Sequence, residues 1–245
     1  MEGTRRAPGA LQRSADKILV AIDGSPSAAR MVVFGTMPMP RRADALSLVH
    51  DWTQSDSLRK HMLSVEAAMR AYAVHFGDDV ELWGITGLIH DFDYERFPNS
   101  ALSADVEHPA EGVRLLRGLG WPDEVCDAVL GHAHYTGVPR TSVLAKALFA
   151  CDELTGLITA SSLVKPSKSV HDVDVLGVRK KMKDKAFARG VSREDVIQGA
   201  EALGVDLDAH IAMVLGAMQA ASASLGLAGV PQPETSASTP SGGVA

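Results

Sequence analysis

An all-α fold is what this sequence predicts: a helical bundle with a short strand-turn-helix-like N-terminal extension and a disordered C-terminal tail. Three observations carry that reading. From Asp44 onward apolar residues recur every three or four positions, helix start and stop residues punctuate the same stretch, and strand-like patterning is confined to what precedes it. The 245 residues, 46% of them hydrophobic, can bury one sizeable core, so the chain divides into an extension (1–41), one helical domain (42–227) and a tail (228–245).

The extension opens with Arg5, Arg6, Pro8 and Arg13 and continues as KILVAIDGSPSAARMVVFG from Lys17 to Gly35, which reads as strand, turn, helix. That run resembles the opening of a universal stress protein, in which an Asp after the first strand helps bind a nucleotide; Asp23 to Ser25 would be the matching stretch. No later glycine-rich phosphate loop completes such a domain. The segment therefore reads as vestigial or as an upstream start, with Met37 and Met39 as alternative first residues.

The first well-marked helix runs from Ser57 to Phe76, where Leu58, Met62, Val65, Met69, Tyr72 and Phe76 form one stripe, Ser57 suits the N-cap and Gly77 the stop. His61 lies one residue from that stripe; alone, it would ordinarily be a hydrogen-bonded core histidine. The next segment, Val80 to Asp91, is apolar on every side and has the length of a short helix or a buried strand. Helix is preferred, because Gly84 and Gly87 would let another backbone approach closely. His90 and Asp91 end it. Neighbouring helical residues point about 100° apart, so both reach one ion only where the helix opens at its end.

After a loop from Asn99 to Val106, Pro109 suits a first helical position and Gly120 a stop, which leaves His108 at an N-cap that histidine does not favour. Pro122 begins another helix, in which Val125, Ala128 and Val129 share a face with His132 while His134 points elsewhere. From Thr141 to Leu163 the stripe is Leu144, Leu148, Cys151, Leu154 and Ile158, with Asp152 beside it. A carboxylate there is costly without a cation or strong donors, unless the helix turns it to solvent or an arginine pairs with it.

Taken in order, His61, His90 with Asp91, and Asp152 on separate helices resemble the HD-domain superfamily of metal-dependent phosphohydrolases, over about Ala43 to Leu227. The resemblance implies an all-helical bundle in which these four residues bind a divalent metal. His108 and His132 match the two further histidines of its dinuclear branch, which includes HD-GYP phosphodiesterases and mixed-valent diiron oxygenases. His90 and Asp91 are followed here by Phe92, Asp93 and Tyr94, so the GYP signature is absent and cyclic dinucleotide hydrolysis is not implied.

Histidine and carboxylate ligands suit Mn, Fe, Co, Ni or Zn, and Asp91 could divide its oxygens between two ions, which gives two metals per chain as the expectation. Such ions activate water for attack on phosphorus. Asp93 and Glu95 follow the metal pair and are the expected proton-handling residues, the plain alternative being a solvated loop. Lys165, Lys168 and Lys181, in the basic stretch Val164 to Gly190, are the expected substrate-binding residues, although most lysines there read as a solvated face. A metal-dependent phosphohydrolase acting on a small molecule such as a nucleotide is the leading function. The alternatives are a diiron oxygenase on the same ligands and a non-catalytic, metal-stabilised interaction module.

The balance of 30 acidic against 24 basic residues, a net charge of −6, argues against duplex nucleic acid as a partner. Two cysteines, Cys126 and Cys151, make neither a disulfide framework nor a cysteine zinc cluster. No apolar run approaches the roughly 20 residues of a membrane span, and no signal-peptide hydrophobic region is present, so the expectation is a cytoplasmic protein without a membrane partner. Two last helices, Ser192 to Leu203 and Asp208 to Leu225, carry no evident chemistry, and His171 and His210 read as surface or capping residues. The tail from Ala228, with Pro231, Pro233 and Pro240, has no apolar face to bury.

Overall fold

A computed structural model describes residues 39–230. The expectations for the extension, including Asp23 to Ser25 and Met37, and for the tail from 231 lie outside those residues. Among the described residues the chain is helical throughout, with ten α-helices and no β-strand. None of these helices is long and apolar enough to cross a membrane.

Helix α1 is Arg42–Trp52 and α2 is Asp56–Phe76. The second starts ahead of its expected position because Ser55, not Ser57, accepts the Leu58 N–H; it stops as expected at Gly77, which adopts a left-handed φ of +69°. Helix α3, Val80–Ile89, resolves the ambiguity of its apolar run: it is a helix because it is buried nearly all round, with Trp83, Ile85, Leu88 and Ile89 at most 1% exposed. It lies against α2 so closely that a Cβ on Gly87 would stand 3.0 Å from the backbone of Val65 and Glu66.

Helices α4 (Ala110–Gly118) and α5 (Asp123–His132) follow, then the long α6 (Val143–Leu163), whose start is capped by Ser142. Pro109 stands just before α4 rather than at its first turn. Beyond α7 (Val175–Lys183) comes α8 (Arg193–Leu203), with Ser192 accepting the Asp195 N–H and Gly204 in the left-handed region. The last expected helix is two, α9 (Leu207–Ala220) and α10 (Ser222–Leu225), separated at Ala221. Residues 228–230 do not leave the domain: Val170 N–H donates to Leu227 O and Val230 N–H to Ser167 O.

Two apolar clusters make the core. One gathers α2, α6 and α9 around Met69, Leu148, Leu154 and Val214; the other gathers α1, α3, α4 and α5 around Val49, Leu88, Leu116 and Val129. Leu63 of α2 and Leu82 of α3 pack against both, so these two helices form the seam. His210 is a correction to the sequence reading: it is fully buried, its Nδ1 paired with the Tyr72 hydroxyl and its Nε2–H donating to Ala150 O. His171 is exposed and meets Ser222.

Candidate metal centre

At that seam five helices and their ends bring six side chains to one point. His61 projects from the second turn of α2, His90 and Asp91 stand where α3 ends, His108 precedes α4, His132 ends α5 and Asp152 lies mid-way along α6. His61, His90 and Asp152 form one group whose ligand atoms lie within 4.8 Å of each other; Asp91, His108 and His132 form a second.

Asp91 joins the two. Its Oδ2 faces His61 Nε2 at 3.7 Å and His90 Nε2 at 3.5 Å, while its Oδ1 faces His108 Nε2 at 3.2 Å and His132 Nε2 at 3.5 Å. Asp152 Oδ1 lies 2.9 Å from His61 Nε2 and 3.4 Å from His90 Nε2. It therefore neither pairs with an arginine nor turns to solvent.

Which ring nitrogen faces inward is fixed from behind. His90 Nδ1 contacts Gly87 O at 2.8 Å and His132 Nδ1 contacts Val129 O at 2.5 Å; a carbonyl can only accept, so both Nδ1 atoms carry the hydrogen. His108 Nδ1 meets the Asp93 carboxylate at 2.7 Å, which places its hydrogen there as well. In their neutral form the rings therefore present lone pairs inward, and His108 and His132 bring their inward nitrogens within 3.2 Å of each other. Two lone pairs that close repel unless a cation or a proton lies between them. His90 Nε2, fully buried, has no hydrogen-bond partner at all. An orphaned imidazole nitrogen beside two carboxylates is a donor set that fits a divalent transition metal.

Electrostatics point the same way. Burial opposes a charge on His90, yet Asp91 and Asp152 outweigh it and raise the imidazole to about 9; Asp91 and Asp93 likewise carry His108 to about 10 against its burial. Asp91 and Asp152 are held well below the usual carboxylate range, burial being overcome by the surrounding imidazoles. The site calls for positive charge, which protons or metal ions can supply, and metal uptake would release those protons.

The centre opens into a cleft of about 440 Å³ whose further walls are Tyr94, Asn99, His134, Tyr135, Glu153 and Asp195. Burial and the neighbouring Asp152 charge push Glu153 up to about 7. His134 is tied across the rim to Asp195 at 3.1 Å. The sequence reading passed over these wall residues except His134, which it turned away from the His132 face and which the structure instead places on the cleft wall. Tyr135 and His134 follow His132 directly, and Glu153 follows Asp152, so adjacency to a ligand was the available signal.

The expected proton-handling and substrate residues are not brought to the cleft. Asp93 is fully buried, with Oδ1 on His108 and Oδ2 accepting the Gly112 N–H at 2.7 Å. Glu95 is exposed and accepts the N–H groups of Gln54 and Ser55, closing the start of α2. Lys165 and Lys168 follow the end of α6, whose last residue lies roughly 16 Å along the axis from Asp152 at the usual helical rise. Lys181 covers the Phe187 ring at 4.1 Å. None of the three lysines lines the cleft.

Residues 58–157 match the family model for the HD domain. All six side chains of the centre lie inside the matched segment, whereas Asp195 on the cleft wall lies outside it. No curated protein and no solved structure matches the chain.

Proposed function

We propose, taking residues 58–157 as an HD domain, that this protein is a metal-dependent phosphohydrolase cleaving a phosphoester of a small molecule with two divalent ions, Mn, Fe, Co, Ni or Zn, at its centre. The observation that carries the reading is the division of Asp91, one oxygen toward His61 and His90 and the other toward His108 and His132. When bound, such ions acidify water and stabilise the oxygens of a displacement at phosphorus.

The protein's own part is orientation and exclusion. Backbone carbonyls and Asp93 aim the rings, Asp91 sets the spacing between the two halves, and Asp152 balances charge against His61 and His90. Tyr94, Asn99 and Tyr135 wall the cleft above the ring of His108. Among the described residues no lysine or arginine lines it, while Glu153 and Asp195 do. That pattern, with no cation to offset a polyphosphate's further charges, favours a substrate with one phosphoryl group. It also keeps a second reading in play, a diiron oxygenase, because the same ligands without a cationic phosphate clamp would suit that chemistry.

Anaerobic purification with iron or manganese, followed by parallel measurement of phosphate release from a panel of phosphomonoesters and of oxygen consumption, tests the reading. Metal-dependent phosphate release, lost in Asp91→Ala, is expected. Oxygen uptake without phosphate release would transfer the assignment to the oxygenase, and neither activity would favour an interaction module.

A further inference from the structure

We propose that Asp93 is a positioning residue for the metal centre, and that by holding His108 it makes the Asp91, His108 and His132 half bind its ion more tightly than the His61 half. The inference rests on these six residues being a metal centre and is independent of whether the reaction is hydrolytic.

Asp93 has no free oxygen with which to serve a substrate. One oxygen takes the His108 Nδ1–H and the other takes the N–H of Gly112, one of the donors that the first turn of α4 leaves without a partner inside the helix. Pro109, at the N-cap, supplies no side-chain acceptor, so the carboxylate does two tasks: it completes α4 and locks the ring that enters the centre beside it. The fit is built around a missing side chain. A Cβ on Gly112 would stand 2.6 Å from Asp93 Cγ and 2.8 and 2.9 Å from its two oxygens.

The other half of the centre has weaker support behind one of its rings. His61 Nδ1 has Thr155 Oγ1 at 3.5 Å, and that hydroxyl already donates to Asp152 O at 2.8 Å. The His61 side chain is also 24% exposed, against 3% for His108 and 6% for His132. A carboxylate behind a ligating imidazole fixes its tautomer and raises its basicity, and losing such a partner typically costs about 10–100-fold in metal affinity. His108 has that support and His61 lacks it.

An asparagine at 93 cannot satisfy both donors. Its amide nitrogen must face either Gly112 N–H, donor against donor, or His108 Nδ1, which would then accept and leave the hydrogen on the inward nitrogen. Gly112→Ala should push the Asp93 carboxylate off the His108 ring without changing any titratable or ligating group.

The test uses the metal-loaded full chain. Wild type, Asp93→Asn, Gly112→Ala and His61→Ala are equilibrated against a graded series of chelator concentrations, the manganese remaining per chain is counted by elemental analysis, and helicity is followed by far-ultraviolet circular dichroism. Wild type should lose its ions in two phases. His61→Ala should lack the early phase, whereas Asp93→Asn and Gly112→Ala should shift the late phase to about 10–100-fold lower chelator at unchanged helicity. A role confined to folding would move both phases and the helicity together. That outcome, a late phase unmoved in Asp93→Asn, or a single ion per wild-type chain would each overturn the proposal.

Discussion

Acid should destabilise this fold through His210, which does not line the cleft, and the size of the effect can be worked out. Its Nε2–H donates to Ala150 O and its Nδ1 accepts the Tyr72 hydroxyl, so the ring is neutral and a second ring proton would displace the tyrosine. Burial lowers this histidine to about 4, from 6.5 for an ordinary imidazole, with the Ala150 contact partly opposing. The sign follows from which state holds the proton. Between pH 6.5 and 4 the unfolded chain is protonated at this position and the native chain is not, so the contribution is complete above 6.5, is lost as pH falls, and is gone near 4. At about 1.4 kcal/mol per tenfold difference in proton affinity, the loss amounts to about 3 kcal/mol. Urea unfolding of wild type and His210→Phe at intervals from pH 7.5 to 4 measures it, since the difference between the two cancels every other titrating group. The variant should be less stable at pH 7.5, by about 1–3 kcal/mol for the orphaned Tyr72 hydroxyl and Ala150 carbonyl, and the two curves should converge toward pH 4. Parallel curves across the range would refute the reasoning.

Four other outcomes are expected. Replacing His90 or Asp91 with Ala should reduce bound metal to background in elemental analysis while most helicity remains, because the apolar seams between α2, α3 and α6 do not depend on either residue. Changing His108 and His132 together to Ala should lower the metal count from two toward one; a wild-type count of one, unchanged in that variant, would leave a mononuclear centre. The triple change of Lys165, Lys168 and Lys181 to Ala should leave KM for a phosphomonoester within about twofold, since none of them lines the cleft, and stability should fall by about 1 kcal/mol at most through the lost Lys181 contact with Phe187. Gly87→Ala should cost about 1–3 kcal/mol in denaturant unfolding, against the gain expected for alanine in a helix, because its Cβ meets the α2 backbone at 3.0 Å.

Much of the bundle was legible because a buried helix must repeat its apolar residues at the helical period, and the stripe from Leu58 to Phe76 does so without interruption. The six residues of the centre were legible for a related reason. Each is a polar group set on or beside an apolar face, as Asp152 is between Leu148 and Leu154, and such a placement demands a partner that the sequence nearby does not supply. What stayed hidden were residues whose partners are remote. Tyr72 and His210 look like an ordinary core aromatic and an ordinary surface histidine until α9 crosses α2.

The same distinction explains why the acids after His90 were misread. Asp93 and Glu95 stand beside a metal pair in a polar stretch, and proximity along the chain made both seem available to substrate. Asp93 is instead taken up by the His108 ring and the Gly112 N–H, and Glu95 by the N–H groups of Gln54 and Ser55. A helix leaves several N–H groups without internal partners at its start; the loop after α3 supplies an acceptor for one in the first turn of α4, and for the N-cap Ser55 of α2 and Gln54 just before it. That loop therefore couples three elements: it ends the helix that carries His90, anchors the start of the helix that carries His61, and holds His108 through the start of α4. Changes within it should disturb both halves of the centre through different residues, Glu95 acting on the His61 side and Asp93 on the His108 side.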